Sequence, residues 1–223
     1  MNLGNKLFLE NKWQQAIYQY EKIIHTELAS AIIYYQLSQC YRNINNSEKS
    51  FQIMQTGIKN HPTNAQLHFD LIINLCYSGC NQEAIASAEK ACQLIPNDYT
   101  FKILKYLTVP TIYEDESEIL PYRQRYIQGL EKLIKETSLS TPKECQNTLA
   151  ATSRLTNFYL SYQANNDVDL QSQYGQLLHQ IMAANFPQWF APLSMQKLQH
   201  QEKIRKNRLF DDQVCVRGVE FFI

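Results

Sequence analysis

The sequence predicts an all-α protein: a solenoid of stacked helix pairs followed by a segment of further packed helices. Three observations carry that expectation. Apolar residues recur three and four positions apart along most of the chain, the spacing that lines one face of a helix. Glycine is scarce, with six in 223 residues, whereas β-hairpins rely on glycine in their turns. Finally, a pattern of large, small and turn residues repeats through the first hundred residues, with Pro62 and Pro96 standing 34 apart, and a fixed period of that size marks a repeat architecture.

The repeat can be read unit by unit. The second unit has large residues at Tyr34, Leu37 and Tyr41 with Ser38 among them, a turn at Asn45, then Ser50, Met54 and Gly57 before Pro62. The third repeats it with His68, Leu71, Ile72 and Leu75, a turn at Gly79, then Ala84, Ala88 and Ala91 before Pro96. Shifting the frame back places Leu3, Gly4 and Leu7 in a first helix, Asn11 at the turn, and Ala16, Tyr20 and Ile23 in the second. Asn and Gly at the turns tolerate the left-handed backbone that closes a helix. Ala16, Ser50 and Ala84 let the two helices of a pair approach closely, and the larger residues fill the gap to the next pair. No single hairpin can cover both of its faces, so neighbours must stack. The arrangement resembles the tetratricopeptide repeat, with Leu3-Gly4 and the inter-unit prolines as its marks and Tyr34 and His68 at its usual tryptophan position. Three repeats are expected over residues 1–98.

A fourth unit fails, because Lys105 and Tyr106 fall where the leucine and the small residue should be and Pro110 interrupts the helix. A helical connecting segment is expected over 99–200 instead. Residues 111–118 are acidic and suit the positive end of a helix dipole. The helix after them carries Tyr122, Tyr126, Leu130, Leu133 and Ile134 on one stripe. Thr141-Pro142-Lys143-Glu144 is a start signal, with a capping Thr, Pro at the first helical position and Glu three residues after the cap. The apolar stripe expected of that helix is Leu155, Phe158, Tyr159 and Tyr162. A last helix holds Leu170, Tyr174, Leu177, Leu178, Ile181 and Met182 and stops near Phe186-Pro187. Aromatic residues at this spacing are expected to be core.

The segments Tyr122-Arg123-Gln124-Arg125-Tyr126, Leu155-Thr156-Asn157-Phe158-Tyr159-Leu160 and Ile181 to Trp189 resemble the SPINDLY-type O-linked N-acetylglucosamine transferases of bacteria. In that family tetratricopeptide repeats precede a connecting helical segment and a two-lobed glycosyltransferase that uses a UDP-sugar. Lys203-Ile204-Arg205 is similar to the approach to the first strand of that domain, but Lys206-Asn207-Arg208 departs from it. Residues 201–223 therefore read as a divergent tail where the glycosyltransferase domain would begin. No catalytic residue of the family carries over. The resemblance implies the recruiting front part of such a protein; the alternative is a subunit of a split transferase, completed by a separate catalytic chain that supplies UDP-N-acetylglucosamine chemistry.

Composition excludes several other classes. Twenty-one basic residues balance twenty-one acidic ones, so no basic field exists to neutralise phosphates and no nucleic-acid partner is expected. Lys203, Arg205, Lys206 and Arg208 read as a short solvated cluster. No apolar run approaches the roughly 18–20 residues of a membrane span, and no membrane partner is expected. The glycines are too far apart for a phosphate-cradling loop, so no nucleotide cofactor is expected. Without a secretion signal at the first residues, the six cysteines read as reduced thiols of a cytoplasmic protein. Cys76 and Cys80 find no histidine at ligand spacing, so no metal site is expected. The histidines lack the partners that catalysis needs.

The expected function is recognition of protein or peptide clients. In a stacked array the first helix of each pair lines the concave side. The outward positions there include Asn5, Tyr35, Gln39, Arg42, Phe69 and Tyr77. The transferases that the chain resembles place a recurring asparagine along this groove to hold the ligand's main chain, and the equivalent positions here are Asn2, Gln36 and Asp70. Amides suit that task because each offers a donor and an acceptor.

Overall fold

A computed structural model of the protein describes residues 3–26 and 29–190. Among them the chain is helical, with no strand. It divides into two compact units, Met1–Asn185 and Phe186–Ile223. The described part of the second unit contains one helix, α11 (Pro187–Phe190), at whose start the Phe186 and Trp189 rings stack at 5.0 Å.

The first unit begins with three helix pairs: α1 (Leu3–Leu9) with α2 (Trp13–Glu21), α3 (Ala31–Asn43) with α4 (Ser47–Asn60), and α5 (Ala65–Tyr77) with α6 (Asn81–Leu94). The turn within each pair is set by one left-handed residue, Asn11 at φ +57°, Asn45 at +59° and Gly79 at +76°. Asn46 and Asn64 start α4 and α5 by accepting from the Lys49 and Leu67 backbone N–H groups at 3.1 and 3.0 Å. That satisfies donors which the first helical turn leaves unpaired.

The small residues sit where the period places them. Ala16, Ser50 and Ala84 are all buried, as are Ala88 and Ala91. Gly57 packs so closely on Tyr34 that a Cβ there would lie 2.7 Å from the tyrosine Cβ. Tyr34 and His68, at equivalent points of the repeat, are both buried. The Tyr34 hydroxyl donates to the Ile24 carbonyl at 2.9 Å and ties the second pair to the first. The all-α solenoid is thus built from local helix geometry plus stacking of faces that no pair could cover alone.

The helices continue with α7 (Tyr99–Leu107), α8 (Ile119–Glu136), α9 (Pro142–Thr152) and α10 (Val168–Asn185). Helix α7 ends ahead of Pro110 and places Phe101 and Leu104 on Ala84, Ala88 and Ala91 of α6. Its other side joins a second core with Tyr126, Leu130 and Leu133 of α8, Ala151 of α9 and Tyr174, Leu177 and Ile181 of α10. Helix α8 lies hard against the end of α7. A Cβ on Gly129 would come within 2.5 Å of the Tyr106 carbonyl oxygen. One turn earlier the Arg125 guanidinium donates to the carbonyls of Lys105, Tyr106 and Thr108 at 2.7, 3.1 and 2.6 Å. A cation is well placed at carbonyls that a helix end leaves unpaired.

The capping box at the start of α9 forms as its residues predict: Glu144 N–H donates to Thr141 Oγ1, and the Glu144 carboxylate accepts from the Thr141 N–H. The stripe expected beyond it does not form. Helix α9 stops at Thr152, where the hydroxyls of Thr148, Thr152 and Ser153 bond back to carbonyls three and four residues earlier. Hydroxyls that bond in this way weaken and bend a helix. Leu155 turns into the core, while Phe158 and Tyr162, on a short 3-10 turn at Phe158–Gln163, remain 58% and 53% exposed. The expectation that these aromatics are core therefore fails for two of them; Tyr122, Tyr126 and Tyr174 are buried. No described helix is long and apolar enough to cross a membrane. The tail 201–223 and its basic cluster lie outside the described residues.

Candidate functional site

The first helices α1, α3 and α5 carry polar side chains in two hydrogen-bonded sets. The first centres on Tyr20, buried on α2, whose hydroxyl proton is shared between Asn5 Oδ1 of α1 and Gln36 Oε1 of α3, each 3.0 Å away. Two residues read from the sequence as groove positions are thereby joined through a third that the period marks as core.

Further along α3 the Arg42 guanidinium donates to Gln39 Oε1 and, at 2.5 Å, to Asn74 Oδ1 on α5. Gln39 and Asn74 are both buried, whereas Arg42 is exposed. The two amides therefore hold a surface guanidinium in one orientation from beneath.

On α5, Asp70 is half-buried and accepts from Gln66 Nε2 at 2.7 Å. Burial raises its carboxyl above the ordinary range, against the opposing pull of Gln66, Arg154 and Arg42. Tyr35 on α3 is half-buried as well; burial first, then the Asp70 charge, raises its phenol. Phe69, one residue before Asp70, lies under the Arg154 guanidinium, 3.8 Å from the ring centroid. Arg154 comes just after α9, and sequence periodicity held no signal for it. Tyr77, near the end of α5, is 71% exposed.

Of the nine residues singled out in the sequence, Asn5, Tyr35, Gln36, Gln39, Arg42, Phe69, Asp70 and Tyr77 fall on the first helices, and Asn2 lies outside the described residues. The Tyr20 hydroxyl bridges Asn5 and Gln36, and the Arg42 guanidinium bridges Gln39 and Asn74. Tyr77 borders two cavities. One, of about 240 Å³, also meets Arg42, Asn74, Ser47 and Ser78. The other, of about 100 Å³, is mainly apolar and is walled by Ile73, Cys76, Leu107, Leu155 and Tyr159.

The chemistry on this face is donors, acceptors and aromatic rings without an activated nucleophile. Burial raises the Cys40 thiol to about 12 and the Cys76 thiol to about 11, which disfavours the reactive thiolate. Cys40, Cys76, Cys80, Cys92 and Cys145 are unbridged, and the described residues hold no cluster of His, Cys, Asp or Glu able to ligate a metal.

No protein-family model and no curated protein matches the chain. Among solved structures it is similar to one described as the crystal structure of MamA, at 14% identity and a TM-score of 0.46, covering 79% of this chain and 98% of that one. A MamA RS-1 ArsTM double mutant is similar at 12% identity and a TM-score of 0.46, covering 84% and 93%.

Proposed function

We propose that the chain is a protein-interaction module that grips a peptide segment of a client protein along the face of α1, α3 and α5. The observation that carries this reading is the arrangement of Gln39, Arg42 and Asn74, in which buried amides orient an exposed guanidinium. Groups ordered before a ligand arrives reduce the entropy lost on binding. Tyr35 and Tyr77 add rigid ring surface beside it, and aromatics and Arg are favoured at binding hot spots. The even charge balance of the chain agrees with a protein partner rather than a polyanion.

Selection of a displayed dodecapeptide library on the full chain tests the reading. Synthetic versions of the enriched peptides are expected to lose affinity on Tyr35→Ala or Arg42→Ala and to keep it on Lys90→Ala, which alters the exposed side of α6. Binding indifferent to Tyr35 and Arg42 would overturn it.

A finer reading makes such recruitment serve protein O-linked N-acetylglucosamine transfer, with this chain as the recruiting part and a separate chain supplying catalysis. It is supported by the sequence resemblance across residues 119–189. Its test is incubation with UDP-N-acetylglucosamine and lysate, with and without a candidate catalytic chain. Sugar transfer only when both are present is the expected result, and its absence with every such chain defeats this reading.

A further inference from the structure

The segment after α9 makes one end of the first-helix face different from the rest. Phe69, Ile73 and Tyr77 are spaced four apart along α5, so they form one stripe. Arg154 stacks on Phe69, Leu155 and Tyr159 close the apolar cavity against Ile73, and Tyr77 stands at that cavity's rim. On the far side of Tyr77 lies Arg42, held by Gln39 and Asn74. An apolar recess is thus flanked by two guanidiniums, one next to Leu155 in sequence and one across Tyr77.

Neither guanidinium has a carboxylate within ion-pair distance among the described residues. The half-buried Asp70 carboxylate feels both charges and is bonded to Gln66. Two guanidiniums without an ion-pair partner thus stand beside a single half-buried carboxylate. The recess, at about 100 Å³, is smaller than the ~150 Å³ apolar cavities that admit benzene. That volume matches one aliphatic side chain.

From this we infer that the recess is an anchor site for an extended client segment bearing a Leu, Ile or Met side chain with an Asp or Glu within about three residues of it. The aliphatic group enters between Ile73 and Leu155, and the carboxylate meets Arg154, since Arg42 already donates to Gln39 and Asn74. Stacking on Phe69 leaves the N–H edges of Arg154 free for such a partner, and planar guanidinium suits a carboxylate in two-point contact. The exposed rings of Phe158 and Tyr162 extend the apolar rim beyond Tyr159, against which both are packed edge-on or tilted.

This inference rests on the peptide-binding reading above, and the two can fail separately. The probe is the set of dodecapeptides enriched on the full chain, made synthetically with a fluorescein label and titrated by anisotropy. Enriched peptides are expected to share the aliphatic–acidic pair. Replacing the aliphatic residue by Ala, or the acid by Lys, should weaken binding at least fivefold. Arg154→Glu should reverse the charge preference, so that the Lys-substituted peptide binds better than the parent. Thr156→Trp, at an exposed position on the lip of the recess, should weaken the parent peptide at least fivefold. Both positions are on the surface, and matched thermal melts check that the variants fold. Smaller effects from these changes, in peptides whose binding Tyr35→Ala still abolishes, overturn the anchor and leave the interaction face standing. Failure to enrich any peptide sensitive to Tyr35→Ala overturns both.

Discussion

Gly129 of α8 faces the Tyr106 carbonyl oxygen at the end of α7 so closely that a methyl group on its Cα would sit 2.5 Å from that oxygen. Backbone cannot swing aside as a side chain can, and Arg125 holds the same carbonyl at 3.1 Å. Gly129→Ala therefore pushes α8 from α7 despite alanine's better helix propensity. The expected loss is about 1–3 kcal/mol, the usual range for overpacking, measured as a lower denaturation midpoint in urea. Unchanged stability would mean the helices can separate without consequence.

Arg125 makes the complementary prediction. Its guanidinium serves three carbonyls past the point where α7 can serve its own. Arg125→Met keeps the aliphatic bulk and removes the donors. Leaving partly buried acceptors without partners costs about 1–3 kcal/mol, and the loss should persist in high salt because the contact is with carbonyls rather than with a screened surface charge. Urea melts at low and high ionic strength check it.

The repeat is legible in the sequence because each of its signals is local. A left-handed residue at 11, 45 and 79 and small residues at 16, 50 and 84 reflect the geometry of one helix pair, whatever surrounds it. The capping box at Thr141 and Glu144 is local for the same reason. Arg154 on Phe69, Arg125 on the α7 carbonyls, and the 2.6 Å ion pair of Arg123 with Asp167 join residues far apart in sequence. No spacing rule announces such pairs. The stripe from Leu155 to Tyr162 misleads because its 3.6-residue spacing is genuine, while the Thr and Ser hydroxyls of α9 end the helix before it can be used. On the candidate face, Asn5 and Gln36 could be placed from the period, but their common partner Tyr20 belongs to a second helix and reads as core.

His68 sets a pH dependence whose sign is fixed by its burial. Desolvation lowers its pKa below 6.5; the Pro62 carbonyl opposes this and Lys90 adds to it, and the Phe101 ring packs edge-on at 6.0 Å. The unfolded chain then binds the proton first as pH falls. Stability is full above the unfolded value and is lost as pH drops through the folded one. Asp70 acts in the opposite sense in a more acidic range, because its folded pKa is raised. Comparing wild type with His68→Tyr, the residue found at the equivalent Tyr34, isolates the histidine. Wild type should lose more melting temperature than the variant between about pH 7.5 and pH 5.5, across the usual titration range of histidine. Parallel pH profiles would refute the assignment.

Truncation tests how far the three helix pairs depend on the helices beyond Pro96. In the full chain Ala84, Ala88 and Ala91 of α6 are wholly buried, with Phe101 and Leu104 of α7 in the same cluster. A fragment ending at Pro96 exposes that stripe, and stacked repeats need a covering element at each end. Each large apolar side chain removed forfeits about 1.5–3 kcal/mol of burial, a large share of a small domain's net stability. The fragment should melt with low cooperativity and well below the full chain. Adding back α7 alone, by ending at Leu107, should recover only part of the difference, since Ile103 and Tyr106 would then lack the α8 surface that packs on them. A 1–96 fragment that melts cooperatively at the full chain's temperature would show that the three pairs stand unaided.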